Sequence, residues 1–173
     1  MATNLELKAR VSSLDALREE ALRLGARPAG VLEQRDTYFR VPRGRLKLRE
    51  SAGAPAELIF YEREETGGER WSRYERVPVA EPEGLKQVLA LTGGILVVVE
   101  KKRTLFLFRN ARIHCDDVTG LGSFLEFEIV GEKSPDSHAL MKELREHFRI
   151  RDEMIFRESY ADMMMAKTPA KEY

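Results

Sequence analysis

Several common chemistries are excluded by what this 173-residue chain has little of. It carries one cysteine, Cys115, so no intrachain disulfide, zinc knuckle or C-x-x-C redox pair is available. A reducing cytoplasm is the simplest home this predicts. The three histidines, His114, His138 and His147, lack H-x-x-x-H and H-E-x-x-H spacing, and no G-x-x-x-x-G-K-[ST] or G-x-G-x-x-G run occurs. Zincin, P-loop and dinucleotide readings therefore have no support. The longest aliphatic run, Ile95 to Val99, falls far short of the roughly 18 residues a spanning helix needs, and no basic start precedes an apolar segment. Neither membrane insertion nor export is expected. Charge of one sign is missing too: Lys plus Arg and Asp plus Glu both number 29, which argues against a nucleic-acid partner. What the chain does have is 34% charged and 43% hydrophobic residues, enough of each for one soluble globular domain whose specificity comes from local clusters of charge.

Period separates the elements. Asn4 to Val11 alternates, with Leu5, Leu7, Ala9 and Val11 on one face and Asn4, Glu6, Lys8 and Arg10 on the other, which predicts a two-faced strand. Ser12, Ser13 and Asp15 offer caps for a helix from Leu14 to Leu24, stopped by Gly25. Strands are expected at 31–41, 45–50 and 57–64, with Pro42, Arg43 and Gly44 as a turn, and another near Ser72 to Val79. Pro82 opens a second helix that ends at Gly93 and Gly94. Strands resume at 95–108, 111–118 and 123–130, followed by helices at Pro135 to Phe148 and Ser159 to Lys167. The pattern predicts an α+β domain over residues 1–167 with a long antiparallel sheet able to close into a barrel, and a frayed tail at 168–173.

The polar faces of these strands carry charge at period two. Arg45, Lys47 and Arg49 share a face, as do Tyr61 with Arg63, Lys101 with Arg103, Arg112 with His114 and Asp116, and Glu126 with Glu128. One reading is an antiparallel sheet with a dry face and a wet one. The other puts the stripes inside a barrel, where about six cations roughly 8 Å apart would repel by about 2 kcal/mol per pair at an effective dielectric of ~20 and would call for an anion. Carboxylates at Glu6, Glu126 and Glu128, with Asp116 as a further candidate, suit hard cations such as Mg²⁺ or Mn²⁺ shared with phosphate oxygens. A Lys/Arg lining beside a carboxylate–metal site is the equipment for binding and cleaving a polyphosphate.

Taken in order, NLELK, QRDTYF, RLKLRE, YERE, VEKKRTLF, LGSFLEFE and SYADMM carry a resemblance that spans nearly the whole chain. The chain resembles the CYTH proteins, or triphosphate tunnel metalloenzymes, which include class IV adenylate cyclases, thiamine triphosphatases and inorganic triphosphatases. The resemblance implies an eight-stranded antiparallel closed β-barrel, with helices packed outside and a triphosphate bound within. It implies phosphate contacts from Lys8, Lys47, Arg49, Arg63, Lys101 and Arg103, metal ligation by Glu6, Asp116, Glu126 and Glu128, and catalytic roles for Glu6, Lys8, Glu126 and Glu128. The family signature E-x-E-x-K reads Asn4-Leu5-Glu6-Leu7-Lys8 here, so an amide replaces the first carboxylate. An amide still offers an oxygen but removes one negative charge.

The expected function is divalent-metal-dependent hydrolysis of an inorganic or organic triphosphate, with Mg²⁺ or Mn²⁺ as cofactor, in a cytoplasmic monomer or homodimer. Two alternatives stand beside it: a class IV-type cyclase making cyclic AMP and pyrophosphate from ATP, and a polyphosphate- or nucleotide-binding module without turnover. Cys115 and Trp71 are expected to be packing residues, and Met163 to Met165 to cover the outside of the sheet.

Overall fold

The computed structural model describes residues 2–64 and 69–167. Its strands are β1 (Ala2–Arg10), β2 (Arg27–Phe39), β3 (Arg45–Ser51), β4 (Ala54–Glu64), β5 (Arg70–Val79), β6 (Ile95–Phe108), β7 (Ala111–Val118), β8 (Gly122–Val130) and β9 (Ile155–Phe156). The helices are α1 (Leu14–Arg23), α2 (Pro82–Thr92), α3 (Pro135–His147) and α4 (Tyr160–Lys167). Neighbours in the sheet run β5-β4-β3-β2-β6-β7-β8-β1-β9, and β1 also pairs with β5, so eight antiparallel strands close on themselves. Closure leaves one seam. Along it β1 meets β5 from Ala2↔Tyr74 to Glu6↔Arg70, and the two-residue β9 takes over at Lys8↔Phe156.

The larger hydrophobic core lies outside the barrel wall, and a smaller buried cluster around Tyr38, Tyr61, Val99 and Phe124 fills one end of the interior beside α4. Leu5, Leu7 and Ala9 of β1, Ile113 and Cys115 of β7, and Leu125, Phe127 and Ile129 of β8 are all fully buried beneath helices. They pack with Leu17 and Ala21 of α1 and Leu140, Met141 and Leu144 of α3. Each fully buried Leu, Ile or Phe contributes about 1.5–3 kcal/mol, so the alternating strands turn their apolar side to the helices and their charged side to the interior. Local chemistry sets the helix ends. The Ser13 hydroxyl accepts from the Ala16 N–H at 3.2 Å, and Ser134 accepts from the Ser137 N–H at 3.2 Å ahead of Pro135. On the far wall α2 lays Leu85 and Leu89 over Phe39, Leu48 and Ala56.

Three differences from the sequence pattern have physical causes. β2 begins at Arg27 rather than 31, because a register shift between Pro28 and Gly30, where Gly30 has φ of 118°, breaks the alternation. β9 is two residues long, too short for any period to declare it. Phe148 caps α3 instead of belonging to it. The expected tail at 168–173 lies outside the described residues. Cys115 and Trp71 pack in the outer core, where burial pushes the Cys115 thiol up to about 12. Among the described residues, no helix is long and apolar enough to cross a membrane.

Candidate active site

Inside the barrel is a cavity of about 600 Å³. Eight cationic side chains line it against five carboxylates: Lys8, Lys47, Arg49, Arg63, Arg76, Lys101, Arg103 and Arg112 face Glu6, Asp36, Glu57, Glu126 and Glu128. All six residues expected to contact phosphate are thus brought to one interior, as are Glu6, Glu126 and Glu128. The alternation is what does this, since each strand turns every second residue inward.

The cations fall into two groups. In the first, Asp36 of β2 is the hub: Arg49 donates to both of its oxygens at 2.7 Å, Lys47 approaches at 3.0 Å and Lys101 at 2.9 Å. Burial alone would raise the Asp36 pKa, but Arg49, Lys101 and Lys47 outweigh it and hold the carboxyl well below the usual carboxylate range. One carboxylate facing three cations leaves an excess of positive charge. Lys101 bears the strain most, as burial, with Arg49, Arg103 and Lys47 nearby, lowers its pKa to about 7. In the second group Arg103 of β6 forks onto Asp116 of β7 at 2.7 and 2.6 Å and reaches Glu126 at 3.2 Å. Tyr160 of α4 donates to the same Asp116 at 2.8 Å, and its ring lies 4.0 Å from the Lys8 ammonium. Asp116 is completely buried and its oxygens are taken up by these two partners.

The acidic wall belongs to β1 and β8. Glu6 sits opposite Glu128, and Lys8 opposite Glu126. Burial raises the Glu6 pKa, Arg63 lowers it, and Glu126 and Glu128 raise it again, so this carboxylate gains from any added cation. For Glu126, burial pulls upward, but Lys8 and Arg103 prevail and keep it ionised. Asn4 donates through Nδ2 to Glu128, while Asn4 Oδ1 and Glu6 Oε2 are buried without a hydrogen-bond partner. Unpartnered hard oxygens next to carboxylates are the donor chemistry of Mg²⁺ or Mn²⁺, so the residues present fit such an ion. Among the described residues, no three His, Cys, Asp or Glu side chains converge on a single point. His114 also faces the cavity. Burial and Arg103 lower its pKa to about 3, which keeps it neutral at physiological pH.

Four contributions were not read from the pattern. Asp36 was quoted in a motif without a role, and only the barrel shows it facing three cations from two other strands. Ser159 and Tyr160 line the cavity from the closing segment, and Met163 and Met164, expected to cover the outside of the sheet, instead pack on a cluster of inward-facing residues that includes Tyr61, Val99 and Phe124, so α4 closes one end of the barrel. Arg70 pairs in register with Glu6 and therefore shares its inward face, and extending the alternation of Tyr74 and Ser72 backwards by two would have found it.

Lys101 makes the interior sensitive to pH. Its pKa of about 7 in the empty tunnel rises when a polyanion arrives, so binding takes up a proton once the pH exceeds about 7. Tripolyphosphate affinity should be fullest below that value and fall by up to about tenfold per pH unit per proton as the pH rises through it. Calorimetry at pH 8 in buffers of different ionisation enthalpy should show net proton uptake, shared with Lys8, whose pKa burial lowers to about 8, and Lys101→Arg should reduce the uptake by roughly one proton; equal uptake by both proteins contradicts this assignment.

A closed antiparallel barrel with its larger core outside and an interior built from opposed rows of Lys/Arg and Glu defines a class of anion-binding tunnel proteins. The CYTH domain model matches residues 2–168, and the chain belongs to the CYTH domain family. Solved structures agree on the fold. The PH1012 protein of Pyrococcus horikoshii is 22% identical with a TM-score of 0.85, covering 92% of this chain and 98% of its own. A Vibrio parahaemolyticus protein named provisionally as an adenylate cyclase is 20% identical with a TM-score of 0.74, covering 93% of this chain and 97% of its own. A Hippeastrum protein named provisionally as an adenylyl cyclase, and reported to have a dominant triphosphatase activity, is 14% identical with a TM-score of 0.69, covering 100% of both chains. No curated protein matches this chain.

Proposed function

We propose that this chain is a divalent-metal-dependent enzyme that hydrolyses a phosphoanhydride of a triphosphate held in the tunnel. The observation that carries the reading is the excess of eight cations over five carboxylates around a cavity of about 600 Å³. Lys47, Arg49 and Lys101 bind phosphate oxygens from one side and Arg63 and Lys8 from the other, so the chain's own charges hold the substrate extended and neutralise charge that builds on the leaving group. Arg103 is oriented for the same task by its fork onto Asp116, which Tyr160 holds in turn. Asp116 thus acts through Arg103, and the ligand set narrows to Glu6, Glu126 and Glu128 with the Asn4 amide oxygen. When bound there, Mg²⁺ or Mn²⁺ supplies Lewis-acid polarisation of phosphoryl oxygens and activation of water. Glu126, kept ionised by Lys8 and Arg103, is suited to holding the cation and ordering a water by hydrogen bonding, its depressed pKa making it a weak proton acceptor.

The test is turnover of tripolyphosphate, ATP and thiamine triphosphate with Mg²⁺ and with Mn²⁺, following orthophosphate, pyrophosphate and cyclic AMP together. Orthophosphate release is expected. Cyclic AMP with pyrophosphate would replace hydrolysis by cyclisation, and unchanged binding in EDTA with no product would make the tunnel a binding module.

Asn4 sets a further expectation. Asn4→Glu restores a carboxylate beside Glu6 and Glu128, and the half-saturating Mg²⁺ concentration should fall by roughly tenfold, because ligand charge count tunes affinity for hard cations. A metal titration of activity measures it. An unchanged midpoint would place the ion away from β1.

A further inference from the structure

We propose that a second pocket, beside the tunnel at the seam where β5 and β9 both meet β1, is a binding site for a phosphate-class anion, built on Arg70. The pocket has a volume of about 520 Å³ and is lined by Arg45, Arg63, Arg70 and Arg157 against Glu158 and Asp162. Arg63 and Tyr61 also line the tunnel, so the two spaces share a wall.

The seam explains why the arginines gather here. β5 stops pairing with β1 at Glu6↔Arg70, and β9 starts at Lys8↔Phe156, which brings Arg70 and the residue after Phe156, Arg157, to the same gap. Gly44 turns the chain into β3 with φ of 64°, in a spot where a Cβ would lie 2.7 Å from the Phe60 ring, and Arg45 follows it into the pocket.

Two of the four arginines keep a buried Nε–H without a hydrogen-bond partner. Arg70 is only 5% exposed, its Nε has no hydrogen-bond partner, and no carboxylate among the described residues forms a salt bridge with it. Arg63 Nε is likewise buried and unpartnered, and its nearest carboxylate oxygen, Glu6 Oε2, stands 3.6 Å from Nη2. Arg45 is paired with Asp162 at 2.6 Å, and Arg157 is exposed at the rim. The buried Arg70 and the part-buried Arg63 line the same pocket and repel each other, and a tetrahedral oxyanion seated between their guanidinium groups removes that repulsion. The choice of phosphate as that anion rests on the proposed function. Its source is free orthophosphate or the terminal phosphate of a chain already in the tunnel.

Metal-free protein in EDTA, where hydrolysis does not interfere, is titrated calorimetrically with orthophosphate before and after saturation with tripolyphosphate. With the tunnel filled by tripolyphosphate, the wild type is expected to bind one further orthophosphate, with Arg70→Met weakening it by about tenfold, the loss of a charge-assisted hydrogen bond, and Arg70→Lys recovering part of it. If tripolyphosphate instead blocks orthophosphate and Arg70→Met weakens tripolyphosphate by a similar factor, the pocket takes the end of the bound chain and the site stands. No orthophosphate binding by the wild type, or Arg70→Met leaving both affinities unchanged, overturns the proposal. Should Arg70→Met fail to fold, the exposed Arg157→Glu carries the same test, with weakening of about threefold or more expected and an unchanged affinity overturning the site. Failure of the hydrolase reading shows separately, as absent turnover with metal present.

Discussion

Glu126→Gln is expected to lower kcat for triphosphate hydrolysis by about 10²–10³-fold, the range for removing one preorganised electrostatic group from a water-poor site. The substitution keeps the shape of the side chain and deletes its charge. In the intact protein Lys8 and Arg103 hold that charge against the pull of burial, and Glu126 is the cross-strand partner of Lys8. The Lys47, Arg49 and Lys101 group lies on other strands and is untouched, so tripolyphosphate affinity measured without metal should change by only a few fold. Phosphate-release kinetics and calorimetry on the same preparation separate the two quantities. A variant that retains kcat within about threefold would remove Glu126 from the chemistry. A variant that loses binding and turnover equally would make it a structural member of the charge network.

Asp36→Asn is expected to destabilise the folded protein by about 3–5 kcal/mol, the cost of leaving buried charges without their partner. For a chain of this size that is a fall in Tm of roughly 6–20 °C. The cause is specific: three cations from β3 and β6 converge on this one carboxylate, which is 1% exposed. Because the folded pKa of Asp36 is depressed, its stabilisation is complete above the unfolded value near ~4 and is lost as the pH falls through the lower folded value. The gap between wild type and variant should therefore be widest at neutral pH and narrow on acidification. Added tripolyphosphate should raise the Tm of the variant more than that of the wild type, since it replaces the missing negative charge. Thermal melts with and without the anion test both statements. An equal shift in the two proteins would mean the anion does not meet this cluster.

Much of this molecule is readable in one dimension. Leu5, Leu7 and Ala9 against Glu6 and Lys8, or Leu125 and Phe127 against Glu126 and Glu128, announce two-faced strands, because an extended backbone sends successive side chains to opposite sides and nothing distant alters that. Ser13, Gly25, Ser134 and Pro135 bound their helices through contacts within a few residues. The six inward-facing cations were legible for the same reason, each falling on the polar parity of its own strand. Less legible was anything made by residues meeting from afar. The bulge at Gly30 hid the start of β2, and β9 has too few residues to show a period.

The sequence by itself thus determined the strands, their two faces and the rows of charge, since these depend on backbone geometry and nearest neighbours. Which face became the interior was decided only in three dimensions, when β1 paired with β5 and the apolar faces found α1 and α3 on the outside. That closure set Asp36 among three cations, sent Tyr160 in from the closing segment to Asp116, and buried Arg70 at the seam with its Nε unpartnered among the described residues. Each of these depends on groups far apart along the chain, and the ion pairs among them are held by a Coulomb attraction that strengthens only once the barrel has excluded water between them.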